Sequence, residues 1–197
     1  MRISGGVARG IPLNAPKGDA VRPATDGMRQ AVFSSLAARI PGATFIDLFA
    51  GSGAYGLEAL SRGADGGYFV EKSAKAAACI RQNITAVCKS LSRPESVVRV
   101  AQMDAITWLK AMPGIEPDLV FIDPPYEIIE EVGPGLFAAL SERLTSKKDP
   151  VVVFEMPGEL SLEPSGWSCV RRLGKGARQP TVAFYKKSVQ QAEFGAQ

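Results

Sequence analysis

The chain has 197 residues, a formal net charge of +3, and 46% hydrophobic against 22% charged residues, a composition typical of a folded domain with a sizeable core. It contains no histidine, which excludes Ser-His-Asp and Cys-His catalysis and every His-ligated metal site. The three cysteines form no C-x-x-C pair, so no metal site is predicted. Widely spaced thiols, with no apolar leader or membrane-length apolar run, predict a cytoplasmic protein that does not enter a membrane.

Charge is distributed unevenly along the chain. Residues 1–39 carry six basic against two acidic side chains, and residues 164–197 carry six against one. The body between them is therefore acidic, whereas both ends are basic. Basic ends suit a polyanion such as nucleic acid, although an ordinary solvated surface has the same pattern.

The start of the chain predicts a glycine-rich turn followed by a helix. A short hairpin is expected, with its turn at residues 5–6 or 9–10. Residues 25–40 carry apolar side chains at helical spacing, and either Thr25 or Asp26 is the expected N-cap.

From residue 44 onward, short apolar runs alternate with helical segments, which predicts a parallel, doubly wound sheet. The predicted parallel strands cover residues 44–50, 66–72, 96–102, 118–126 and 150–156. The predicted helices cover residues 54–62, 73–91, 105–112 and 128–144. Gly133-Pro134-Gly135 is expected to interrupt the last helix, leaving only its second half helical. Two final segments, 167–174 and 180–187, predict a closing antiparallel pair, which makes seven strands in an α/β fold.

The first chemical motif is D-L-F-A-G-S-G-A-Y-G at residues 47–56, between the first strand and the following helix. Its G-x-G-x-x-G glycines let backbone N–H groups approach a ligand at a helix N-terminus. A dinucleotide and S-adenosylmethionine both fit such a turn. Asp47 favours the second, because a carboxylate repels a pyrophosphate and attracts a sulfonium and an ammonium. The same carboxylate is also expected to accept backbone N–H bonds of the loop, which is compatible with a ligand role.

Two further acidic residues follow predicted strands. Glu71 lies 20 residues beyond the first glycine of the motif, where an acidic side chain reaches the ribose hydroxyls of an adenosine. The alternative role for Glu71 is an ion pair with Lys72 or Lys75 on the surface. Asp104 is placed either to accept a hydrogen bond from the adenine amino group or to cap the next helix.

The third motif, D-P-P-Y at residues 123–126, ends the fourth predicted strand. Two prolines remove two N–H donors, which leaves the Asp123 carboxylate and the Pro124 carbonyl as acceptors beside the flat ring of Tyr126. Acceptors next to a stacking ring suit an exocyclic amine on an extruded planar base. The alternative, a plain Pro-Pro turn with a capping Asp, is disfavoured because all three motifs occur in strand order.

D-x-F-x-G-x-G, an acidic residue closing the second strand, and D-P-P-Y occur in this order in class I S-adenosylmethionine-dependent amino methyltransferases, which the sequence resembles. RISGGVARGIPL, the R-P-A-T-D stretch at residues 22–26 and FAGSGAYGLEALSRGA make it similar to the 16S rRNA guanine-N2 methyltransferases (RsmD type), over about residues 1–187. The resemblance implies a Rossmann-like class I fold and an S-adenosylmethionine cofactor, with S-adenosylhomocysteine as product. It also implies methylation of one guanine of 16S rRNA, in an assembled or partly assembled small ribosomal subunit.

The expected site residues fall into three groups. The target base is expected at Asp123, Pro124, Pro125 and Tyr126. The cofactor is expected at Thr25, Asp47, Phe49, Gly51, Gly53, Gly56, Glu71, Asp104, Ala105 and Asp123. A basic collar that binds RNA is expected from Arg2, Arg9, Arg22, Arg171 and Arg178. The expected organisation is a basic extension (1–40), a methyltransferase domain (41–188) and a frayed tail (189–197), in a monomer.

Other functions remain open at this stage. An adenine-N6 or cytosine-N4 methyltransferase of DNA or RNA shares the D-P-P-Y chemistry. A non-catalytic ribosome-assembly module shares the fold but does not require an intact motif. A nicotinamide-dependent oxidoreductase conflicts with Asp47 and leaves D-P-P-Y without a role.

Overall fold

The computed structural model describes residues 1–15, 26–112, 114, 116–146, 149–174 and 179–188. The strands within these ranges are β1 Thr44–Leu48, β2 Gly66–Val70, β3 Val98–Ala101, β4 Leu119–Ile122, β5 Val151–Pro157, β6 Trp167–Leu173 and β7 Pro180–Lys187. The helices are α1 Asp26–Ser35, α2 Ala54–Ser61, α3 Ala74–Leu91, α4 Ala105–Ala111 and α5 Ile129–Arg143. In that part of the chain, no helix is long and apolar enough to cross a membrane.

All seven strands form one sheet in the order β3-β2-β1-β4-β5-β7-β6. Strands β1 to β5 pair in parallel, and β7 runs antiparallel between β5 and β6. The mostly parallel seven-stranded sheet and its closing antiparallel pair are therefore confirmed. The direction of strand succession reverses between β1 and β4, and ligands of such sheets bind at the carboxyl ends of the strands at this reversal.

Helices cover both faces of the sheet. On one face, α1, α2 and α3 pack on a cluster that includes Phe45, Phe69 and Phe121. On the other face, α4 and α5 pack on a second cluster that includes Ile46 and Leu48. Because side chains alternate along a strand, Asp47 of β1 lies on the α1–α3 face.

The N-terminal residues form the predicted hairpin. Ile3 donates its backbone N–H to Ile11 (2.9 Å), and Leu13 donates to Met1 (3.0 Å), so both predicted turn positions lie inside the loop between them. Ile3 and Leu13 are buried, as is Ala8, and all three belong to the cluster on the α1–α3 face. The hairpin therefore packs into the same core as the sheet.

Buried polar side chains attach this hairpin to α2 and α3. Glu58 accepts hydrogen bonds from the backbone N–H (2.7 Å) and the hydroxyl (2.8 Å) of Ser4. Asn83 accepts from the backbone N–H of Asn14 (2.9 Å) and donates to the carbonyl oxygens of both Asn14 and Ser52 (2.9 Å each). Since Ser52 belongs to the loop after β1, Asn83 joins the hairpin to that loop.

Helix α5 departs from the prediction. The interruption expected at Gly133-Pro134-Gly135 is wrong, because α5 runs unbroken from Ile129 to Arg143 with Pro134 inside it. Proline removes one backbone donor early in the helix, while Phe137 and Leu140 further along it are buried in the second cluster. Gly133 lies close to Leu162, since a Cβ on it would stand 3.2 Å from Leu162 Cδ1. The packing of α5 against the core therefore outweighs the tendency of Pro134 to break a helix.

The other helices begin and end within one residue of the predicted bounds, except at the end of α1. Ser73 caps α3 as predicted, with its hydroxyl accepting from the N–H of Ala76 (3.4 Å). Helix α1 begins at Asp26 and ends at Ser35, where a 3-10 turn at Ala37–Arg39 replaces the last turn of the predicted helix. Thr25 and the predicted tail at 189–197 lie outside the described residues.

Candidate active site

The loop that joins β1 to α2 contains three residues in the left-handed backbone region. Gly51 has φ 54° and Gly53, the N-cap of α2, has φ 78°, and glycine adopts such angles without strain. Phe49 has φ 56°, a conformation that costs a non-glycine residue about 1–3 kcal/mol. Backbone strain of this size clusters at ligand sites, so this loop has the expected features of a binding turn.

Asp47 lies beneath the loop rather than at its surface. Its side chain is 1% exposed and its carboxylate accepts a hydrogen bond from the N–H of Gly56 (2.9 Å). Burial raises the pKa of Asp47 to about 8; the bond from Gly56 opposes this shift, and the charge of Glu71 adds to it. The expected hydrogen bond from the motif's backbone to Asp47 is confirmed at Gly56, in the first turn of α2, and the contact of Asp47 with a ligand stays a prediction.

Gly56 permits close contact between α2 and the sheet. A Cβ on this residue would stand 2.4 Å from Phe69 Cε1 and 2.5 Å from Phe45 Cε2, both in the core. We therefore expect Gly56→Ala to lower the free energy of unfolding by about 1–3 kcal/mol through overpacking, measured by urea denaturation. Gly27→Ala on α1 is the matched control, because its Cβ meets nothing within 4 Å. Equal stability of the two variants would contradict this interpretation.

Glu71 follows β2 and binds the same loop. Its two carboxylate oxygens accept hydrogen bonds from the backbone N–H of Gly51 (2.9 Å) and of Ser73 (2.7 Å). Glu71 is half-buried, so its position beside the first glycine agrees with the predicted spacing. Its contact with a ribose stays a prediction, as does that of Gly51 with a cofactor.

Asp104 follows β3 and caps α4. Its carboxylate accepts hydrogen bonds from the N–H (3.0 Å) and the hydroxyl (3.1 Å) of Thr107. These bonds, led by the one from the backbone of Thr107, hold the pKa of Asp104 below its usual value. The capping alternative is confirmed, and Ala105 is buried as the first residue of α4. Recognition of an adenine amino group at Asp104 stays a prediction.

The D-P-P-Y segment follows β4 directly, beside the glycine loop after β1. Asp123 lies at the end of the strand, and Tyr126 begins a 3-10 turn with 39% of its surface exposed. Burial raises the pKa of the Asp123 carboxyl well above its usual value, and the charges of Glu155 and Asp47 raise it further. A half-buried acceptor and an accessible ring are thus placed at the strand-order reversal. Pro124 is buried and Pro125 is exposed.

Sequence reasoning missed Glu155. This residue lies in β5, is 2% exposed, and accepts a hydrogen bond from the hydroxyl of Tyr55 (2.9 Å). The Tyr126 hydroxyl also interacts with it. The available signal was one acidic residue within the apolar run VVVFEM, which a strand buried on both faces does not usually carry.

The matching protein family covers nearly the whole chain. A family model described as Conserved hypothetical protein 95 matches residues 1–186. The chain belongs to this family. A relative in Escherichia coli K12, Ribosomal RNA small subunit methyltransferase D, is 32% identical over 195 residues, which cover 96% of this chain and 91% of that protein. The family expected from the sequence is thereby confirmed.

Solved structures identify the fold of this family member. The yhhF protein of Escherichia coli superposes with a TM-score of 0.78 and 31% identity, covering 96% of this chain and 99% of that one. SMU.776, solved in complex with SAH, has a TM-score of 0.64 at 14% identity and covers 81% of this chain and 49% of its own. The Rossmann-like class I methyltransferase fold is confirmed by these structures and by the strand order.

The structure places three of the five expected RNA-binding arginines. Arg2 and Arg9 are exposed on the hairpin and line a cavity of about 250 Å³, together with Ser4 and Gln30. Arg171 is exposed on β6. The remaining two, Arg22 and Arg178, lie outside the described residues. Binding of RNA by any of them stays a prediction.

Proposed function

We propose that this protein transfers a methyl group from S-adenosylmethionine to the exocyclic N2 amine of a guanine in 16S rRNA of the small ribosomal subunit. Membership of the family and the E. coli relative named Ribosomal RNA small subunit methyltransferase D support methylation of rRNA. The choice of guanine N2 rests on the resemblance of the N-terminal motifs to the RsmD type.

The carboxyl ends of β1 to β4 fit this cofactor. Each of these strands ends in or is followed by an acidic side chain, in the order Asp47, Glu71, Asp104 and Asp123. An edge lined with carboxyl groups suits a ligand that carries a sulfonium, an ammonium and no phosphate, because a bound cation favours the ionised form of the buried Asp47. When bound, the cofactor supplies an electrophilic methyl group. Gly51 and Gly53 shape the loop beside it, and Glu71 holds that loop in place.

The observation that carries the proposal is that Asp123 follows β4 at the strand-order reversal, where its backbone N–H donates to Leu48 at the end of β1, with the exposed ring of Tyr126 three residues further along the chain. Asp123 and the carbonyl oxygen of Pro124 are acceptors for the two amine hydrogens. The ring of Tyr126 offers an exposed face on which an extruded base stacks, an interaction of about 1–3 kcal/mol. Holding the base in line with the methyl group supplies much of the rate enhancement in such a transfer.

The direct test is to identify the product. The protein is incubated with radiolabelled S-adenosylmethionine and either small ribosomal subunits or naked 16S rRNA from cells that lack the modification. The RNA is then digested and the labelled nucleoside identified, with primer extension to locate it. We expect N2-methylguanosine at a single position. N6-methyladenine or N4-methylcytosine would overturn the substrate assignment, and no transfer despite cofactor binding would favour a non-catalytic assembly factor.

The hairpin arginines are expected to bind the RNA backbone. We expect Arg9→Glu to weaken binding of the RNA substrate and to reduce the slope of log affinity against log salt by about 0.7–0.9 for each phosphate that the variant no longer binds. The affinity for S-adenosylmethionine should not change. Filter binding at several salt concentrations and calorimetry measure the two affinities.

The matched control for Arg9→Glu is Arg81→Glu. Arg81 is an exposed arginine on α3, so its reversal changes the net charge of the protein by the same amount. An equal loss of RNA affinity in both variants would show a general charge effect and would contradict a specific contact at Arg9.

A further inference from the structure

Glu155 is a buried carboxyl group beside the predicted catalytic aspartate. In the parallel pair β4–β5, Ile122 lies opposite Phe154, so Asp123 and Glu155 occupy the next positions on the two chains. Residues opposite each other in a parallel pair point to the same face. Val153 of β5, two residues before Glu155, lies in the cluster on the α1–α3 face, so both carboxyl groups lie on that face.

The surroundings of Glu155 are built from several elements. Tyr55 of α2 donates to it, and the ring of Tyr55 is held by stacking on Phe121, with 5.4 Å between centroids and 17° between planes. Tyr126 interacts with it from the turn after β4. Burial raises the pKa of Glu155, and the hydrogen bonds from Tyr55 and Tyr126 and the charge of Arg29, on α1, oppose this shift. Two phenol donors and one cation therefore favour the ionised form of Glu155, a residue that belongs to none of the sequence motifs.

Two neighbouring carboxyl groups, here the half-buried Asp123 and the fully buried Glu155, do not both ionise readily, because each charge raises the pKa of the other group. We propose that Asp123 and Glu155 act as one pair that holds a single proton, and that Asp123 accepts a hydrogen bond from the substrate amine when this proton is on Glu155. Glu155 is then a positioning residue that acts through Asp123. The amine itself rests on the proposed function, whereas the shared proton does not.

The pair of carboxyl groups also accounts for the proton that methyl transfer releases. The lone pair of the amine nitrogen forms the bond to the methyl carbon, and the carbon–sulfur bond breaks with its electrons remaining on sulfur. The nitrogen then gives up one proton, because the neutral product amine carries one hydrogen fewer. Asp123 takes this proton, so that the pair passes from one proton to two and from one negative charge to none. Because Asp123 is only partly enclosed, the extra proton returns to solvent there.

The test of the shared proton needs neither cofactor nor RNA. Protein labelled with ¹³C at the aspartate and glutamate carboxyl carbons is titrated by NMR, as wild type and as Glu155→Gln, in which Tyr55 retains an acceptor. In the wild type we expect Asp123 and Glu155 to report the same two ionisation steps, separated by more than about one pH unit. In Glu155→Gln, Asp123 should lose the upper step. Asp47, which also faces Asp123, is present in both proteins and does not produce this difference.

Identical titration curves for Asp123 in the two proteins would overturn the proposal. Tyr55→Phe distinguishes a proton shared by Asp123 and Glu155 from a merely structural role of Glu155. This variant removes one hydrogen bond to Glu155 and keeps both carboxyl groups. The two-step titration should persist in that variant, and its loss would also count against the pair.

A kinetic measurement tests the second half of the proposal. We expect Glu155→Gln to lower the single-turnover rate of methyl transfer about tenfold or more, with the affinity for S-adenosylmethionine unchanged. Glu142→Gln, an exposed residue of α5, is the control and should keep the wild-type rate. An unchanged rate in Glu155→Gln would overturn proton uptake by the pair. A different methylated nucleoside would overturn the proposed substrate but leave the titration result standing.

Discussion

Asp123→Ala is expected to lower the single-turnover rate of methyl transfer by about a hundredfold to ten-thousandfold. The variant removes the acceptor that orients the amine and takes its proton, and leaves Pro124 and Tyr126 in place. Cofactor affinity should be nearly unchanged, because Glu71 holds the glycine loop through Gly51, and Asp47 holds the start of α2 through Gly56. Rapid mixing with labelled cofactor measures the rate, and calorimetry measures the affinity.

Two further variants show whether the lower rate of Asp123→Ala comes from the loss of its carboxylate. Asp123→Asn keeps the volume of the side chain and one acceptor oxygen but cannot take the proton, so it should be nearly as slow as the alanine variant. Glu127→Ala removes an exposed carboxylate four residues further along the chain and should keep the wild-type rate. Retention of turnover by Asp123→Ala would end the assignment of this residue to catalysis.

Glu58→Gln is expected to lower the free energy of unfolding by about 3–5 kcal/mol, because it takes a fully buried counter-charge away from a buried cation. Arg29 is 0% exposed, and its Nε lies 3.5 Å from Glu58 Oε2. The second carboxylate oxygen, Oε1, lies 2.9 Å from Nε of Arg62, so the variant also weakens that pair. Urea denaturation followed by circular dichroism measures the loss.

Asp26→Asn is the matched control, since Asp26 pairs with the same guanidinium at 2.7 Å but has a side chain that is 46% exposed. Water screens the partly exposed carboxylate of Asp26, so we expect this variant to cost less than Glu58→Gln, whose carboxylate is fully buried. Equal losses of unfolding free energy in the two variants would mean that the burial of Glu58 does not account for the stability that its ion pair with Arg29 contributes.

Much of the fold was predictable because its determinants are local. The alternation of apolar runs with helical segments located β1 to β5, and glycine and proline turns marked where the strands end. The caps at Ser73 and Asp104 were predictable for the same reason, because each side chain bonds to backbone three residues ahead. The break expected at Pro134 was wrong because a local preference there is outweighed by burial of Phe137 and its neighbours.

The parts that were not predictable depend on partners distant in the chain. Glu58 binds Ser4, 54 residues away, and Asn83 binds Asn14, 69 residues away. The pairing of Glu155 with Tyr55 spans 100 residues. A single polar residue within an apolar segment shows that something must satisfy it, but only the folded arrangement shows which group does so.

The attachment of the hairpin through Glu58 and Asn83 affects the entropic cost of binding at its surface. Ordering a flexible segment on binding reduces affinity, by about 0.5–1.5 kcal/mol for each immobilised side chain. The backbone that carries Arg2 and Arg9 is already joined to α2, α3 and the loop after β1 before any ligand arrives. For the RNA binding proposed at Arg2 and Arg9, the entropic cost of ordering that backbone therefore belongs to folding of the protein, not to each encounter with RNA.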